Sequence, residues 1–199
     1  MRADELPTTL FTANAFRAVE LTATDVPRLQ RFFDLNPEYF SAVNGEGPGP
    51  AEAHDEVHGE LPAGWPFTKK WIIGFDDDND SLIAMANVVS DLLAPAVWHI
   101  GLFVVATRMH GTGLAQDLYR RLEHWAKEHG ARWLRLGVVQ GNARAERFWK
   151  RHGFVEVRTR AGIQMGMRVN TLRVMCKPLG TGTLDEYLAL VARDRPDAG

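Results

Sequence analysis

The chain has 199 residues, of which 45% are hydrophobic and 24% charged, a size and composition typical of one soluble globular domain. Its 23 lysines and arginines against 25 aspartates and glutamates give a net charge of -2, which excludes a global positive field of the kind that holds nucleic acid. No apolar run approaches the ~20 residues that span a bilayer, and the N-terminus lacks the apolar segment of a signal peptide. We therefore expect a cytoplasmic protein without a membrane or nucleic-acid partner.

The N-terminal half is predicted to contain a strand, three helices and a hairpin, at 16–21, 24–35, 38–43, 51–60, 70–75 and 81–89. Thr24-Asp25 begins the first helix, Pro27 is tolerated in its first turn, and Asn36-Pro37 ends it. Loops rich in glycine and proline, at 44–50 and 61–67, flank the third helix. The polar turn DDDND joins the two strands of the hairpin.

The C-terminal half alternates strands and helices, at 97–105, 111–129, 133–139, 142–152, 153–157 and 169–177, before a short helix capped by Thr183. Strand 97–105 is almost continuously apolar, which is typical of a central strand covered on both faces. This order of elements predicts an α/β layered architecture. Cys176 lies in the apolar alternation of the last strand, so we predict a packed residue rather than a reactive thiol.

The segment ATRMHGTGLA, between strand 97–105 and the next helix, is a candidate anion-binding loop. A helix start offers unpaired N–H groups and the positive end of the helix dipole. Gly111 and Gly113 lack side chains, so the backbone can approach phosphate oxygens closely, and Arg108 adds a charged donor. The loop has neither the Gly-Lys-Ser/Thr of a P-loop nor the third glycine of a dinucleotide fingerprint, and it predicts a site for a diphosphate.

A second block, N-x-x-A-x-x-F-W-x-x-x-G-F, occupies residues 142–154 and follows the strand LRLGVV. In this order and spacing, the glycine loop and the second block resemble motifs A and B of the GNAT acetyltransferase superfamily. The resemblance is clear over 97–154 and depends on the order of elements over 16–89. Motif B usually carries Phe-Tyr where this chain has Phe148-Trp149.

The resemblance implies a single domain over 1–199, with a core at about 15–178 and a short C-terminal helix and tail at 179–199. It implies a central mixed, mostly antiparallel sheet of six to seven strands, flanked by helices and splayed between the fourth and fifth strands. In the family, the pantetheine arm of acetyl-CoA lies in that splay. The implied acetyl-CoA-binding residues are Phe103, Val104, Val105, Arg108, Met109, His110, Gly111, Thr112, Gly113, Leu114, Ala115, Asn142, Phe148 and Trp149.

The activity implied is that of an N-acetyltransferase, which moves an acetyl group from acetyl-CoA directly to a primary amine, here expected to be a small molecule. Such an enzyme orients both reactants, stabilises the oxyanion with strand N–H groups and moves two protons. The alternative is a noncatalytic acyl-CoA-binding or sensor domain, because Trp149 replaces the tyrosine that serves the family as general acid. The identity of the acceptor and a homodimeric state both stay open.

Candidates for the remaining chemistry lie on the central strand and the first helices. His99 stands about where several family members place a carboxylate, and an unperturbed pKa of about 6.5 suits a general base. Glu38 and Tyr39 are candidate acceptor-binding residues, because GNAT acceptor sites commonly draw on the first helices. Tyr39 and Tyr119 are the alternatives for the missing general acid.

Two polar segments have a superficial likeness to metal sites. His54 and His58 stand one helical turn apart, but Asp55 occupies the position at which the zinc-protease motif H-E-x-x-H needs glutamate. Residues 76–80 begin like a calcium loop, yet Ser81 replaces the needed glycine. We therefore predict no metal.

Overall fold

The computed structural model describes residues 8–13 and 16–198. Within them, eight strands, β1 to β8 in chain order, span Thr9–Ala13, Phe16–Glu20, Lys69–Asp76, Leu82–Ser90, Val97–Val105, Trp133–Val139, Val155–Met165 and Arg168–Pro178. Six α-helices, α1 to α6, span Val26–Leu35, Glu38–Val43, Glu52–His58, Leu114–Glu128, Ala143–Arg151 and Leu184–Leu190.

One sheet contains all eight strands in the order β1-β2-β3-β4-β5-β6-β8-β7. Neighbours are antiparallel except β5 and β6, which are parallel. The predicted fold class, a mixed and mostly antiparallel sheet flanked by helices, is confirmed, with one strand more than predicted. The additional strand is β1, only five residues long, which pairs with β2 at the edge of the sheet and precedes the predicted core.

β5 and β6 separate along their length, as the predicted splay requires. They pair over four residues each, and their last pair is Ile100 with Leu136. Beyond it, β5 continues to pair with β4, and β6 continues to pair with β8. One edge of β5 therefore has no strand partner over residues 101–105.

A bulge marks the point at which β5 leaves β6. Asn87 of β4 is opposite Leu102, but the next residue, Val88, is opposite Ile100, so Gly101 has no partner in β4. An extra residue of this kind bends a strand and increases its twist. Because Gly101 adds one residue to β5, the side chains after it point to the opposite faces of the sheet from those that regular alternation would give.

Helices cover both faces of the sheet. On one face, α4 buries Leu118, Leu122 and Trp125 against the central strands, as its apolar periodicity predicted. On the other face, α1 to α3 and α6 cover two further clusters, one around Phe33 and one around Tyr187. Each large side chain buried in this way contributes about 2–3 kcal/mol of hydrophobic free energy.

The C-terminal part of the chain is more ordered than predicted. β7 extends to Met165 instead of ending at 157, because its polar second half pairs with β8 in a hairpin. The segment predicted as a tail contains Asp194, which is fully buried and binds Arg135, with Nε 2.6 Å from Oδ2. Cys176 is buried in β8, as predicted.

The tip of the β7–β8 hairpin packs on the C-terminal end of α2. The N–H of Met167 donates to the carbonyl oxygen of Asn44 at 2.9 Å, and Nδ2 of Asn170 donates to that of Val43 at 2.9 Å. A Cβ at Gly166 would lie 2.6 Å from the Cβ of Asn44, so only glycine allows this approach. The hairpin tip therefore helps to hold the C-terminal end of α2.

Candidate functional site

From Gly111 to Ala115, at the start of α4, the backbone N–H groups alternate between unpaired and hydrogen-bonded. The N–H groups of Thr112 and Leu114 donate within the segment, at 3.4 Å and 3.3 Å. Those of Gly111, Gly113 and Ala115 have no hydrogen-bond acceptor among the described residues. Because they lie at the positive end of the α4 dipole, they are suited to bind an anion.

The two glycines of this loop are required by backbone conformation. Gly111 and Gly113 have φ of 82° and 90°, in the left-handed region that disfavours residues with a side chain. A Cβ at either position would meet no atom within 4 Å, so crowding is not the constraint. Gly113 is the N-cap residue of α4, and its conformation sets the direction in which the helix leaves the loop.

A cavity of about 780 Å³ adjoins this loop and the edge of β5, between α5 on one face of the sheet and α2 on the other. The sequence-predicted site residues that line it are Glu38, Tyr39, Phe103, Val104, Val105, Met109, His110, Gly111, Gly113, Ala115, Asn142, Phe148 and Trp149. Arg108, Thr112, Leu114 and His99 do not line it. Within residues 111–115, the three unpaired N–H groups thus belong to lining residues, whereas the two hydrogen-bonded ones do not.

Four exposed arginines also line this cavity, one from α4 and three from α5: Arg120, Arg144, Arg147 and Arg151. Those of α5 are three and four residues apart, which places them on one face of the helix. Arg108, predicted as the charged donor, is exposed and turns its Nη1 toward Sδ of Met109 at 3.8 Å. The arginines of ARAERFWKR were not among the predicted site residues, although their spacing on one helix face is visible in the sequence.

Side-chain hydrogen bonds attach the loop to the first two helices. Asn36 is 7% exposed; its Oδ1 accepts from the N–H of Thr107 at 2.7 Å, and its Nδ2 donates to the carbonyl of Phe32 at 2.7 Å. Glu38 accepts from the hydroxyl of Thr107, and this hydrogen bond lowers the pKa of Glu38. The ionised carboxylate of Glu38 therefore joins α2 to the turn after β5.

His110 connects the end of β5 to α5. Its Nε2 lies 2.9 Å from the carbonyl oxygen of Val105, and its Nδ1 lies 2.8 Å from Nη1 of Arg144. Because the guanidinium can only donate, Nδ1 accepts and Nε2–H donates, which assigns the tautomer. The contact with Arg144 links the two sides of the cavity mouth.

The aromatic wall of the cavity holds Trp149 as a packing residue. Its ring lies 5.9 Å from that of Phe103 and 5.3 Å from that of Tyr119, and it is 8% exposed. The hydroxyl of Tyr119 donates to Glu123 and does not line the cavity, and burial raises the pKa of Tyr119. Among the three tyrosines of the chain, Tyr39 alone lines the cavity. Burial and then the charge of nearby Glu56 raise its pKa.

His99 lies beside Arg135 of β6. Its Nδ1 is 3.1 Å from the carbonyl oxygen of Arg135 and 3.3 Å from Nη1 of the same residue. Burial, and then the charge of Arg135, lower the pKa of His99 to about 3. An imidazole of this pKa takes up no proton near neutral pH, so the structure does not support the unperturbed pKa that the sequence analysis assumed.

Glu56 of α3 is a carboxylate that the sequence analysis did not consider. It is partly buried and accepts from Nδ2 of Asn87 at 2.5 Å, while Oδ1 of Asn87 is buried without a hydrogen-bond partner. The Cγ of Asn87 lies 3.5 Å from the position of a Cβ at Gly101. Burial raises the pKa of Glu56, although Asn87 and then Lys70 oppose this shift. Glu56 thus lies near the bulge where β5 leaves β6.

Across residues 8–13 and 16–198, no group of three or more histidines, cysteines, aspartates or glutamates could hold a metal. The rings of His54 and His58 lie 4.6 Å apart between centroids, and Asp76 of the acidic turn pairs with Arg28. None of the described helices is long and apolar enough to cross a membrane.

The family model described as Acetyltransferase (GNAT) family matches residues 29–154. An acetyltransferase from Thermus thermophilus is similar in structure, with 21% identity, coverage of 86% of this chain and 100% of that chain, and a TM-score of 0.65. A GCN5-related N-acetyltransferase from Kribbella flavida is 23% identical, with coverage of 83% of this chain and 98% of that chain and a TM-score of 0.61. Spermidine N-acetyltransferase from Vibrio cholerae, in complex with CoA and spermine, is 14% identical, with coverage of 82% of this chain and 95% of that chain and a TM-score of 0.63. Comparison with curated proteins found no match.

These three structures are each less than 25% identical to this chain, so they establish the fold. The family match covers more than half of the chain and includes both the loop after β5 and the whole of α5. The resemblance that the two sequence blocks indicated is confirmed, and the chain belongs to the GNAT acetyltransferase family.

Proposed function

We propose that the chain is an N-acetyltransferase that transfers the acetyl group of acetyl-CoA directly to a primary amine of a small molecule. The observation that carries this proposal is the row of unpaired N–H groups at Gly111, Gly113 and Ala115, all on residues that line the cavity beside the free edge of β5. The N–H groups and the arginines of α5 suit a pyrophosphate, which needs donors and positive charge. The free edge of β5 offers backbone groups to the amides of a pantetheine arm.

In the proposed reaction, an ammonium first loses a proton, and the neutral nitrogen then attacks the thioester carbonyl carbon. A C–N bond forms, the C–S bond breaks, and the coenzyme A thiolate leaves. The nitrogen releases its second proton, and the thiolate takes one up. The carbonyl oxygen gains negative charge in between, and the unpaired backbone of β5, over residues 101–105, supplies the donors that this charge requires.

Glu56 is the group that we propose for the first proton transfer. It lies near the bulge at which β5 leaves β6, and Asn87 holds its carboxylate. Like His99, it is not among the residues that line the cavity. A carboxylate of raised pKa is a stronger base than an ordinary one, and the best catalytic base has a pKa near the working pH. His99, the candidate from the sequence, stays the competing proposal, with its lowered pKa against it.

Tyr39 is our candidate for protonating the thiolate. The phenol is protonated at neutral pH and so can donate, although burial raises its pKa and makes it a weaker acid than an ordinary tyrosine. With Glu38 at the same end of α2, Tyr39 would also border the acceptor. Replacing Tyr39 by Phe should lower kcat more than it raises KM for the amine.

The proposal is tested by incubating the purified protein with acetyl-CoA and a panel of primary amines. Free thiol is measured continuously, and the acetylated amine is quantified by mass spectrometry. Release of coenzyme A in a one-to-one ratio with an acetylated amine is expected. Tight binding of acetyl-CoA without turnover across the panel would contradict the proposal and favour the noncatalytic alternative.

A further inference from the structure

A second cavity, of about 420 Å³, lies against β7 and the turn that follows α6. It is lined by three arginines and three uncharged residues: Arg158, Arg160, Arg193, Thr159, Ala161 and Ile163. None of them lines the first cavity. The concentration of guanidinium groups is the unusual property of this cavity.

These guanidinium groups are crowded and incompletely bonded. Nη1 of Arg158 and Nη2 of Arg160 both donate to the carbonyl oxygen of Arg193, at 2.6 Å and 3.1 Å. The guanidinium of Arg193 lies 4.0 Å from the ring centroid of Trp65, which covers it. Nε of Arg160 and Nε of Arg193 are both buried without a hydrogen-bond acceptor. Buried donors of this kind are costly unless a partner binds them.

The nearby carboxylate, Asp194, is already bound to other groups. Asp194 accepts from Nε of Arg135 at 2.6 Å and from the hydroxyl of Tyr187 at 2.5 Å, and its Oδ1 lies 3.6 Å from Nη2 of Arg160. Over the described part of the chain, neither Arg158 nor Arg193 forms an ion pair. Burial, and then the charge of Arg193, lower the pKa of Arg160. The local excess of positive charge would be relieved by an anion.

We propose that Arg158, Arg160 and Arg193 form a binding site for an oxyanion, either a carboxylate or a phosphate group. Guanidinium groups present paired N–H donors that match the oxygens of both groups. The cavity offers these donors from two segments of the chain, β7 and the residue before Asp194, so a bound oxyanion would bridge them.

The acceptor is the source that the sheet register favours for this oxyanion. The side chain of Asn87, which binds Glu56, points to the same face of β4 as that of Val89. Val89 pairs with His99 of β5, and His99 pairs with Arg135 of β6, so their side chains also lie on this face. Arg135 binds Asp194, which also contacts Arg160 of the arginine cluster. Glu56 and the arginine cluster therefore lie over one face of the sheet. Because β5, β6 and β8 lie between β4 and β7, an acceptor with its amine at Glu56 would have to span these three strands to place an acidic group at the arginines. This assignment rests on the proposed function, whereas oxyanion binding does not.

Oxyanion binding is tested with inorganic phosphate, in saturating coenzyme A so that the loop after β5 is filled. The rise in Tm with phosphate, against chloride at equal ionic strength, should disappear in Arg158→Gln and in Arg193→Gln. It should persist in Arg31→Gln, a control at an exposed position of α1. Arg158→Lys keeps the charge without the paired donors and should retain part of the rise.

A measurement on the unaltered protein guards against variants that fold poorly. In NMR spectra, the Nε–H signals of Arg160 and Arg193 should shift on addition of phosphate. Unmoved signals, or a Tm rise that is equal in Arg158→Gln and wild type, would overturn the site. If phosphate binds as an adventitious ion only, the rise in Tm should be lost equally in the Arg31→Gln control, and this result would also overturn the site.

The source of the oxyanion is tested with amines matched for length, such as ω-amino acids and aminoalkyl phosphonates against n-alkylamines. If the acceptor supplies it, the acidic amines should show KM values at least tenfold lower, and Arg193→Gln should remove the difference. Equal KM values together with phosphate binding would assign the site to a free anion and overturn the role of the acceptor. Absence of turnover with every amine would overturn the proposed function, and phosphate binding alone would then decide the site.

Discussion

Glu56 and His99 lie over the same face of the sheet, yet burial affects their basicity in opposite ways. Removing a carboxylate from water disfavours its charged form and strengthens it as a base, so the pKa of Glu56 rises. Removing an imidazole from water disfavours its protonated form, so the pKa of His99 falls to about 3. Sequence position alone favoured His99, because the contact of Glu56 with Asn87 joins residues 31 positions apart.

Replacing Glu56 by Gln should lower kcat/KM by about 100-fold, since general-base catalysis contributes on the order of 10² or more. The ionised carboxylate is the active form, so wild-type activity should rise with pH through the raised pKa of Glu56. This acid limb should vanish in the variant, and a pH–rate profile measures it.

Two further variants control that experiment. Asp55→Asn removes the same charge from an exposed position of α3, whose side chain is 75% exposed, and should leave the profile unchanged. His99→Gln should also retain the acid limb. An acid limb that disappears in His99→Gln and persists in Glu56→Gln would restore His99 as the general base, as predicted from the sequence.

Asp194→Asn should reduce the free energy of unfolding by about 3 kcal/mol or more, because it leaves the buried guanidinium of Arg135 without its carboxylate. Burial alone would raise the pKa of Asp194, but the hydrogen bond and charge of Arg135 and the hydroxyl of Tyr187 outweigh it, so the pKa is lowered. The stabilisation is therefore complete above the unfolded-state pKa of about 3.9 and is lost as pH falls through the folded value.

Urea unfolding of wild type and Asp194→Asn at pH 7 and at pH 3 measures this prediction. The difference between the two proteins should shrink at the lower pH. The exposed Asp197→Asn serves as the control and should unfold like wild type at both. An equal loss at both pH values would mean that the effect of Asp194 is independent of its charge.

At the scale of elements, the start of α4 depends on a backbone conformation. Gly113→Ala should destabilise the protein by about 1–2 kcal/mol, because φ is 90° there and an L side chain resists it. It should also weaken coenzyme A binding, since the change redirects the unpaired N–H groups. Thermal unfolding and calorimetric titration measure the two effects.

Gly47→Ala is the matched control for that change. A Cβ at Gly47 would also meet no atom within 4 Å, but its φ is outside the left-handed region. It should leave both quantities unchanged. Normal coenzyme A binding by a folded Gly113→Ala protein would contradict the role given to the loop.

The elements that the sequence predicted well are those whose own residues determine them. The apolar face of α4 and the glycines before it are local signals, and the structure has both where they were expected. β1 and the second half of β7 were missed because they are short or polar and depend on pairing with a neighbour. Arg120, Arg144, Arg147 and Arg151 line the first cavity but were not predicted, because they lie on α4 and α5 and outside the loop motif that contains Arg108.

At the scale of the whole molecule, the splay predicts how the amide groups respond to ligand. Among residues 103–105, the N–H groups that point to the free edge, together with those of Gly111, Gly113 and Ala115, should exchange hydrogen more slowly when coenzyme A is bound. The amides of β3, paired on both sides, should change little and serve as an internal control. Hydrogen exchange read by NMR measures this, and unchanged exchange at the loop would contradict the proposed binding mode.

The fold class and the splay could be predicted from two sequence blocks, because both cofactor blocks lie within one continuous stretch. The acceptor side could not. Its candidate residues come from α2, α3, β7 and the C-terminal turn, which are distant in the chain and come to lie on the finished sheet only through the fold. Long-range contacts of this kind leave no periodic pattern in the sequence.

The hydrogen bonds between the tip of the β7–β8 hairpin and α2 have a consequence for the order in which the cavity is completed during synthesis. α2 carries Glu38 and Tyr39 and is translated early, but the groups that hold its end, Met167 and Asn170, are translated more than 120 residues later. A nascent chain that has been synthesised as far as Phe154 contains both motif blocks, but the C-terminal end of α2 still lacks its hydrogen bonds to the hairpin tip. The cavity wall that α2 forms therefore gains its last support only after the hairpin has been synthesised.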